Sequence, residues 1–272
     1  MKASVLVDNK SNGFLKGEWG LSILIDTGSR RVLLDTGASD LFIDNSKKLG
    51  LFDALCDTDA AVLSHAHYDH GNGIEAFFGI NSRAKLYVGR NCDENCYIRK
   101  WIFRKYIGIP KNIMSRFSER IVPVIEKTQI CDNVYIIPHS TPDLDKIGIR
   151  EKMYIRRNSR WFPDDFSHEH TVAVRTEQGI VIFNSCSHGG TVNIINEVTE
   201  AFPGEKICAY IGGFHLFNKT ENEVRLTAKR LKETGVSYIC TGHCTGDNAL
   251  DILREELGDV LHTLYSGMVI EI

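Results

Sequence analysis

The chain has 272 residues, of which 43% are hydrophobic and 25% charged, and its formal net charge is −3 at pH 7. This size and composition are sufficient for a full hydrophobic core and exclude a disordered chain. The slightly acidic balance argues against bulk electrostatic binding, so no nucleic-acid partner is expected. No apolar run approaches the roughly 18 residues of a membrane-spanning helix, and the first residues lack a signal-peptide pattern, so a cytoplasmic protein without membrane contact is expected.

Eight cysteines are scattered along the sequence. Because no export signal is present, reduced thiols are the expected state. Cys92 and Cys96 have the spacing of half a zinc site, but no second pair follows, and ordinary loop thiols are the favoured interpretation.

The first sixty residues predict short strands joined by turns. Apolar runs predict strands over residues 4–7, 21–26 and 31–35. A helix is predicted over 39–49, with Ser39 as its N-cap and Gly50 after its end. Phe14 and Trp19 lie in loops that could reach a site at the sheet edge, although a core or surface role is favoured for both.

The stretch from Leu63 to Gly73 carries a dense set of ionisable side chains. The run 60–63 predicts a buried strand, and a Gly-Asn-Gly sequence ends the pattern. Between them stand His65, His67, Asp69 and His70. In an extended segment alternate side chains share a face, so the first three are predicted to project together and the fourth to turn away. Imidazole and carboxylate groups in two directions predict two divalent metal ions, with zinc favoured and iron or manganese as alternatives.

This His-x-His-x-Asp-His-Gly pattern resembles the defining motif of the metallo-β-lactamase superfamily, and Val-Leu-Leu-Asp-Thr-Gly at 32–37 resembles the strand and turn that precede it there. The resemblance implies an α/β (α+β) fold, a four-layer αβ/βα sandwich, here as a single domain over 1–272. It also implies that Asp35 orients a ligand histidine. A turn formed with Thr36 and Gly37 is an equally open interpretation of Asp35.

Residues 89–166 are rich in basic and aromatic side chains, unlike the strands and helices before them, and are predicted to be an insertion that contributes a lid. A cationic, aromatic lid would suit an anionic ligand with a ring, and a solvated face with a few packed aromatics is the alternative. Arg160 and Trp161 are candidate substrate-binding residues in its second basic cluster. The basic and aromatic residues of the two clusters are Arg99, Lys100, Trp101, Arg104, Lys105 and Tyr106, then Arg156, Arg157, Arg160, Trp161 and Phe162.

A hairpin predicted over 171–175 and 180–183 ends in Asn-Ser-Cys-Ser-His-Gly-Gly. A histidine at the tip of an apolar strand, followed by glycines, repeats the first motif, so His188 is predicted to bind metal, with capping of the next helix as the alternative. Many superfamily members have a bridging aspartate here, but this chain has Cys186, Ser187 and His188 instead. Whether solvent alone, His188 or Cys186 completes the coordination stays open.

Ionisable groups also stand directly before this hairpin. His168 and His170 lie where other superfamily members have a histidine, so the resemblance makes either a further candidate ligand. Glu169 between them is a candidate proton carrier. His168 and Glu169 are also candidate substrate-binding residues.

Two later strands end in the same way as the first motif. The strand predicted over 207–211 leads to Gly-Gly-Phe-His, which ends at His215, and the strand over 236–240 leads to His243. His243 matches the last superfamily histidine and is implied to bind the ion held by Asp69 and His70. Together with the His188 segment, these sequences resemble a subgroup related to dihydropterin ribofuranosylaminobenzene phosphate synthase.

The predicted function is a dinuclear metal-dependent hydrolase that uses metal-activated water on a small, anionic, phosphate-bearing ester. Asp69 is expected to orient the nucleophile, and His215 to stabilise or protonate the leaving oxygen. A pterin-type C–N bond-forming synthase and a ligand-binding protein that keeps its metals are the alternatives, and a homodimer is one option for the oligomeric state. The ions are expected at His65, His67 and His188, and at Asp69, His70 and His243.

Replacement of His65 tests the metal prediction. We expect His65→Ala to bind less metal and to lose activity, because it removes one of three ligands of an ion. Elemental analysis of protein purified without added metal measures the occupancy. Full occupancy in the variant would remove His65 from the ligand set.

Overall fold

Eighteen strands and nine α-helices follow one another in the computed structural model, which describes residues 1–272. The strands are β1 (Lys2–Val7), β2 (Ser22–Asp26), β3 (Arg31–Leu34), β4 (Ala60–Leu63), β5 (Lys85–Gly89), β6 (Cys96–Lys100), β7 (Phe103–Tyr106), β8 (Ile121–Val124), β9 (Thr128–Cys131), β10 (Val134–Pro138), β11 (Met153–Arg157), β12 (Arg160–Pro163), β13 (His170–Thr176), β14 (Gly179–Phe183), β15 (Ile207–Ile211), β16 (Tyr238–Thr241), β17 (Leu261–Thr263) and β18 (Val269–Glu271). The helices are α1 (Leu41–Lys48), α2 (Phe52–Cys56), α3 (Tyr68–Gly71), α4 (Ile74–Ile80), α5 (Ile113–Arg116), α6 (Leu144–Glu151), α7 (Thr191–Ala201), α8 (Glu221–Thr234) and α9 (Asp247–Leu257).

Two seven-stranded sheets form the centre of the molecule. Their strand orders are β18-β1-β2-β3-β4-β5-β8 and β17-β16-β15-β14-β13-β10-β9. Strands β3, β4, β5 and β8 run parallel in the first sheet, and β14 to β17 run parallel in the second. Loops after the carboxyl ends of such strands are where open α/β sheets bind ligands.

The two sheets pack face to face and helices cover their outer faces. Ile23 of the first sheet and Val181 of the second belong to one buried apolar cluster. Phe42 of α1 packs on the outer face of the first sheet, and Val224 of α8 on that of the second. Each sheet thus buries apolar residues on both faces, which gives four layers. The predicted αβ/βα sandwich is confirmed.

Most of the predicted elements are present with small shifts at their ends. The strands predicted over 60–63 and 207–211 have those bounds. Helix α8 begins after Thr220, which forms a capping box with Glu223, and ends before Gly235, whose φ of +71° favours glycine.

The segment predicted as an insertion, 89–166, contributes to three parts of the fold. Strand β8 extends the first sheet, and β9 and β10 extend the second, because their backbones pair with the open edges of β5 and β13. The remaining strands form a separate sheet of order β12-β11-β6-β7, here called the lid sheet. The predicted bounds therefore enclose more than the lid.

The cysteines and the helices agree with the simple expectations from composition. All eight cysteines are free thiols. No helix combines the length and the apolar composition that crossing a membrane requires. Cys96 is buried, with its Sγ 3.7 Å from His168 Nε2.

The core between the sheets predicts a large effect of truncation. We expect Ile23→Ala to lower the free energy of unfolding by about 2–5 kcal/mol, because the fully buried side chain leaves a cavity between two sheets. Ile125→Ala removes the same atoms from a residue that is 63% exposed, and should change the free energy of unfolding by less than about 0.5 kcal/mol. Urea unfolding measured by circular dichroism compares the two variants. Equal losses would contradict this location of the core.

Candidate metal centre

The site lies at the edge where parallel strands of both sheets end. The segments after β3 and β4 come from the first sheet, and those after β14, β15 and β16 come from the second. Each segment carries polar side chains that the fold buries. In chain order these are Asp35, His65, His67, Asp69, His70, Cys186, His188, His215 and His243.

Several residues in these segments have a left-handed backbone conformation. The φ angles are +58° at Asp35, +60° at Ser187, +51° at His215 and +48° at His243. For residues other than glycine this conformation costs about 1–3 kcal/mol, and it persists only where the surroundings hold it. The four positions follow four different strands, so the loops of the site are held in place by their packing and hydrogen bonds.

The chain leaves the extended conformation soon after β4. Residues 68–71 form one turn of helix, α3. The prediction that Asp69 projects together with His65 and His67 is therefore wrong, because it assumed a strand that continues through residue 69. Asp69 instead faces His70 and His243, with its Oδ2 at 3.7 Å and 3.6 Å from their Nε2 atoms.

His65, His67 and His188 form the first candidate ligand set. One nitrogen of each lies within 4.8 Å of the others. The Nε2 atoms of His65 and His67, and both ring nitrogens of His188, are buried without a hydrogen-bond partner, which is costly in a protein interior. Burial lowers the pKa of all three well below its ordinary value, so the rings are neutral, the form that binds metal. These residues fit a divalent ion.

Asp69, His70 and His243 form the second candidate set. The Nε2 atoms of His70 and His243 are 3.1 Å apart, and Asp69 Oδ2 is 3.7 Å and 3.6 Å from them. Ligand atoms about 2.0–2.2 Å from a tetrahedral zinc ion are roughly 3.3–3.6 Å from one another. The three atoms have close to this spacing, so they fit a second ion.

Asp35 orients His70 and joins the segments around it. Its Oδ2 accepts hydrogen bonds from His70 Nδ1 at 2.7 Å, Ser64 Oγ at 2.7 Å and Ser185 Oγ at 2.6 Å. The bond from Nδ1 leaves His70 Nε2 directed towards His243. Although burial lowers the pKa of His70, the carboxylates of Asp35 and Asp69 raise it to about 9. The geometry agrees with the interpretation of Asp35 as the residue that orients a ligand histidine.

Glu169 holds the loop that carries His188. Its two oxygens accept hydrogen bonds from the backbone N–H groups of His188 and Gly189, both at 3.0 Å. His139 Nε2 lies 3.5 Å from the same carboxylate, and His139 Nδ1 donates to Glu197 at 2.7 Å. Glu169, predicted as a substrate-binding residue, is thus engaged with the backbone of a ligand loop. Sequence reasoning missed His139 and Glu197, because neither stands in a motif.

His168 supports the turn that carries His65 and His67. Its Nδ1 accepts a hydrogen bond from the Ala66 N–H at 3.2 Å, and its Nε2 lies 3.2 Å from Asp164 Oδ1. His170 begins β13, and its N–H donates to the Ser64 carbonyl at 3.0 Å. Burial lowers the pKa of His170 to about 3. Neither histidine lines the cavity described next.

A cavity of about 190 Å³ opens beside both ligand sets. Its wall combines site residues, aromatic residues and two cations from the lid sheet. Trp19 and Phe217 meet edge to face with ring centroids 6.0 Å apart. The lining residues outside the ligand sets include Trp19, Tyr68, Ile98, Lys100, Lys105, Ile107, Met153, His215 and Phe217.

The two faces of the lid sheet carry different side chains. Ile98 of β6 pairs with Lys105 of β7, and Lys100 lies two residues after Ile98 on the same strand. These three side chains therefore share one face of the sheet, the face towards the cavity. The opposite face carries Arg104, whose guanidinium lies 4.3 Å from the centroid of the Trp161 ring. The alternation of residues along 96–106 is the sequence signal that could have found Lys100 and Lys105.

The structure does not bring Arg160 and Trp161 to the ligand sets. Trp161 packs on the outer face of the lid sheet, with its ring centroid 4.9 Å from that of Tyr97. Arg160 lines a separate surface depression with Arg157. Both belong to β12, which lies at the opposite edge of the lid sheet from β7 and its cavity-lining Lys105, and neither residue lines the cavity.

His215 stands at the junction of two cavities. Its ring centroid is 4.3 Å from that of His188, and both its ring nitrogens are buried without a partner. His188 and His215 also line a neighbouring cavity of about 210 Å³, together with Arg150 and Lys219. The position gives His215 access to a ligand beside the first set, as a catalytic proton donor would need.

Comparison with known proteins identifies the family. Residues 20–243 match the metallo-beta-lactamase superfamily. The chain belongs to this superfamily. This superfamily member is 29% identical, over 268 residues, to the Methanocaldococcus jannaschii protein named 7,8-dihydropterin-6-methyl-4-(beta-D-ribofuranosyl)-aminobenzene-5'-phosphate synthase, a match that covers 93% of this chain and 89% of that protein. The family predicted from the histidine motif is confirmed.

Solved structures give the same result for the fold. Tm1679, described as a metal-dependent hydrolase of the beta-lactamase superfamily, is 30% identical with a TM-score of 0.84, and the match covers 100% of this chain and 99% of that one. A diphosphatase of the PhnP family is 13% identical with a TM-score of 0.54, over 100% and 97% of the two chains. At 13% identity, the similarity to the diphosphatase supports the fold alone.

The hydrogen bonds of Asp35 predict its effect on metal binding. We expect Asp35→Asn to weaken metal binding by about 10–100-fold, because an amide nitrogen cannot accept the bonds that orient His70. Competition with a chelator of known affinity measures the change. Asp26→Asn, at the far end of the adjoining strand β2, is the matched control and should bind metal as the parent does. Unchanged affinity in Asp35→Asn would exclude the orienting role.

Proposed function

We propose that this superfamily member is a dinuclear metal-dependent hydrolase of small, phosphate-bearing esters. The observation that supports the proposal is the adjacency of the two ligand sets beside one cavity. The rings of His65 and His70, one from each set, have centroids 4.2 Å apart. Lysines of the lid sheet line the same cavity.

In this hydrolase, different residues would have separate roles in the reaction. Two divalent ions, with zinc favoured over iron and manganese, would supply a polarised substrate and a water of lowered pKa when bound. Asp69 belongs to the second ligand set and lines the cavity, so its carboxylate is placed to hold and orient a nucleophilic water. His215, with two unpartnered ring nitrogens, is suited to give a proton to the leaving oxygen.

The cavity favours an anion that also carries an apolar or aromatic group. Lys100 and Lys105 put two ammonium groups on its wall, which compensate the charge of a phosphate. Trp19 and Phe217 offer aromatic surface to the rest of the ligand. An uncharged amide would leave the two cations without a partner.

A second candidate function is a pterin-type C–N bond-forming synthase. It is favoured by the match over 93% of this chain to a protein named as such a synthase. In that case the lysines of the cavity wall would compensate the charge of a diphosphate leaving group. The two functions differ in the acceptor, which is water for the hydrolase and an aromatic amine for the synthase.

A panel of activated phosphomonoesters, phosphodiesters and carboxylic esters tests the hydrolase. We expect product only from the metal-loaded protein, and none after removal of the metal by a chelator. The double variant Lys100→Ala/Lys105→Ala should raise KM for phosphate esters about tenfold or more and leave neutral esters unaffected, because it removes two cations from the cavity wall.

The matched control removes two cations from the other face of the lid sheet. Arg99→Ala/Arg104→Ala has the same change in net charge and should retain the parent KM.

If the metal-loaded and the chelated protein both leave every substrate of the panel unchanged, the hydrolase is excluded. Incubation with a dihydropterin diphosphate and an aromatic amine then separates the candidates, since a synthase yields the conjugate and a hydrolase the free alcohol.

A further inference from the structure

The turn between β6 and β7 exposes three large apolar side chains in a row. Trp101, Ile102 and Phe103, here called the hairpin tip, are 94%, 83% and 73% exposed. Single exposed apolar residues are ordinary on a protein surface, but a contiguous apolar patch with a polar rim marks a surface that another molecule or a membrane covers.

The hairpin tip extends beyond the rest of the lid sheet. Strand β6 pairs with β7 as far as Lys100, but its pairing with β11 stops at Ile98. Every residue from 99 to 105 is exposed. The chain itself therefore leaves the hairpin tip uncovered.

Neither folding nor solubility accounts for the residues of the turn. Because Lys100 pairs with Phe103, the turn consists of Trp101 and Ile102. Trp101 has a φ of +58°, a conformation that favours glycine or asparagine at this position and is costly for a bulky residue. Exposed apolar patches also promote aggregation. The composition of the turn is unfavourable for the isolated chain, which points to a function outside the fold.

Four cations surround the hairpin tip, and they are here called the collar. Arg99 and Lys100 precede the tip, and Arg104 and Lys105 follow it. None of the four forms an ion pair within the chain, and residues 95–118 contain no acidic side chain. On a chain with a net charge of −3, this hairpin is a local region of positive potential that attracts anionic surfaces.

We infer that the hairpin tip inserts into the surface of an anionic lipid bilayer. Apolar side chains at such a surface enter the boundary between headgroups and acyl chains to a depth of about 5–10 Å. The collar stands one to three residues from the turn, which is about 3–10 Å at 3.3 Å per residue and matches this depth. Tryptophan is enriched at that level of a membrane, and Lys and Arg bind its anionic headgroups.

This contact requires no segment that crosses the bilayer. The expectation of no membrane contact rested on the absence of an apolar run long enough to span a membrane. A hairpin that enters only the interface needs no such run, so the two observations are compatible.

The charge of the collar argues against a second copy of the chain as the occupant. In a two-fold dimer the same patch meets itself, so a contact centred on the hairpin tip would bring two cationic collars together. Like charges opposed across an interface are unfavourable. A bilayer that contains anionic lipids offers the opposite charge to all four cations at once.

The same hairpin forms part of the cavity wall. Ile98, Lys100 and Lys105 line the cavity beside the ligand sets. Ile98 lies three residues before Trp101, which is about 10 Å at 3.3 Å per residue. Insertion of the tip therefore brings the cavity close to the headgroups, where amphiphilic molecules collect. The membrane contact itself does not depend on the proposed hydrolase.

Sedimentation with vesicles tests the inference. We expect the chain to bind vesicles of phosphatidylcholine and phosphatidylserine at least about tenfold more tightly than vesicles of phosphatidylcholine alone, because only the former offer negative charge to the collar. Trp101→Ser/Ile102→Ser/Phe103→Ser should weaken binding to the anionic vesicles about 100-fold or more, because it removes the apolar area that enters the bilayer. Arg99→Gln/Arg104→Gln should weaken it about tenfold or more.

Phe14→Ser/Ile125→Ser/Ile149→Ser is the matched control. It removes three apolar side chains that are 63%, 63% and 54% exposed but lie apart in the sequence, so binding should stay at the parent level. Quenching of tryptophan emission by bromine on the lipid acyl chains measures insertion. Trp101→Phe should keep the binding and lose most of the quenching, and circular dichroism verifies that each variant is folded.

The outcomes separate a membrane from other occupants. Absence of binding to the anionic vesicles, equal binding by the parent and the triple tip variant, or binding without quenching would overturn the inference. A dimer seen by light scattering in the parent and lost in the tip variant, without vesicle binding, would overturn it in favour of a second copy. Hydrolysis of soluble esters is assayed without vesicles, so failure of the membrane contact leaves the proposed function intact.

Discussion

The hydrogen bonds of one buried carboxylate connect the parts of this site. Asp35 stands after β3 of the first sheet and accepts from Ser64 and His70 of the same sheet and from Ser185 of the second. It therefore ties the edges of both sheets together where the ligand sets meet. Its left-handed backbone and nearly complete burial mean that the surroundings determine its position, and that position in turn determines the direction of His70.

Burial and unsatisfied nitrogens give the site its chemistry. Imidazoles packed around one another without hydrogen-bond partners are unfavourable in a protein interior, because their nitrogens have lost the hydrogen bonds that water would make. A bound cation would give these nitrogens a partner again. The burial that lowers the pKa of His65, His67 and His188 keeps them ready to bind metal. His70 differs because two carboxylates oppose the effect of burial, so a metal ion must displace a proton there.

The lid sheet forms part of the wall of the cavity beside the two ligand sets. Its inner face presents lysines and apolar side chains to the cavity, while its outer face stacks Arg104 on Trp161. Such a division follows from the alternation of side chains along a strand, and it places Lys100 and Lys105, two of the four basic residues of β6 and β7, on the cavity wall. The scaffold of the superfamily supports many reactions, and side chains of this kind distinguish one from another.

The sequence by itself determined the elements and the family, because both depend on local patterns. Apolar runs such as 60–63, the capping residues of α8 and the spacing from His65 to His70 are all contained in short stretches. Only the tertiary structure decided which ligands belong together, which basic residues face the cavity and which positioning residues support them. Asp69 points away from the His65 set because residues 68–71 form a helical turn, and Arg160 lies away from the site because β12 is the edge of the lid sheet farthest from β7, whose Lys105 lines the cavity. The contacts of Glu169 with the His188 loop, and of Cys186 with both ligand sets, join residues that different strands bring together, and no local pattern encodes that meeting.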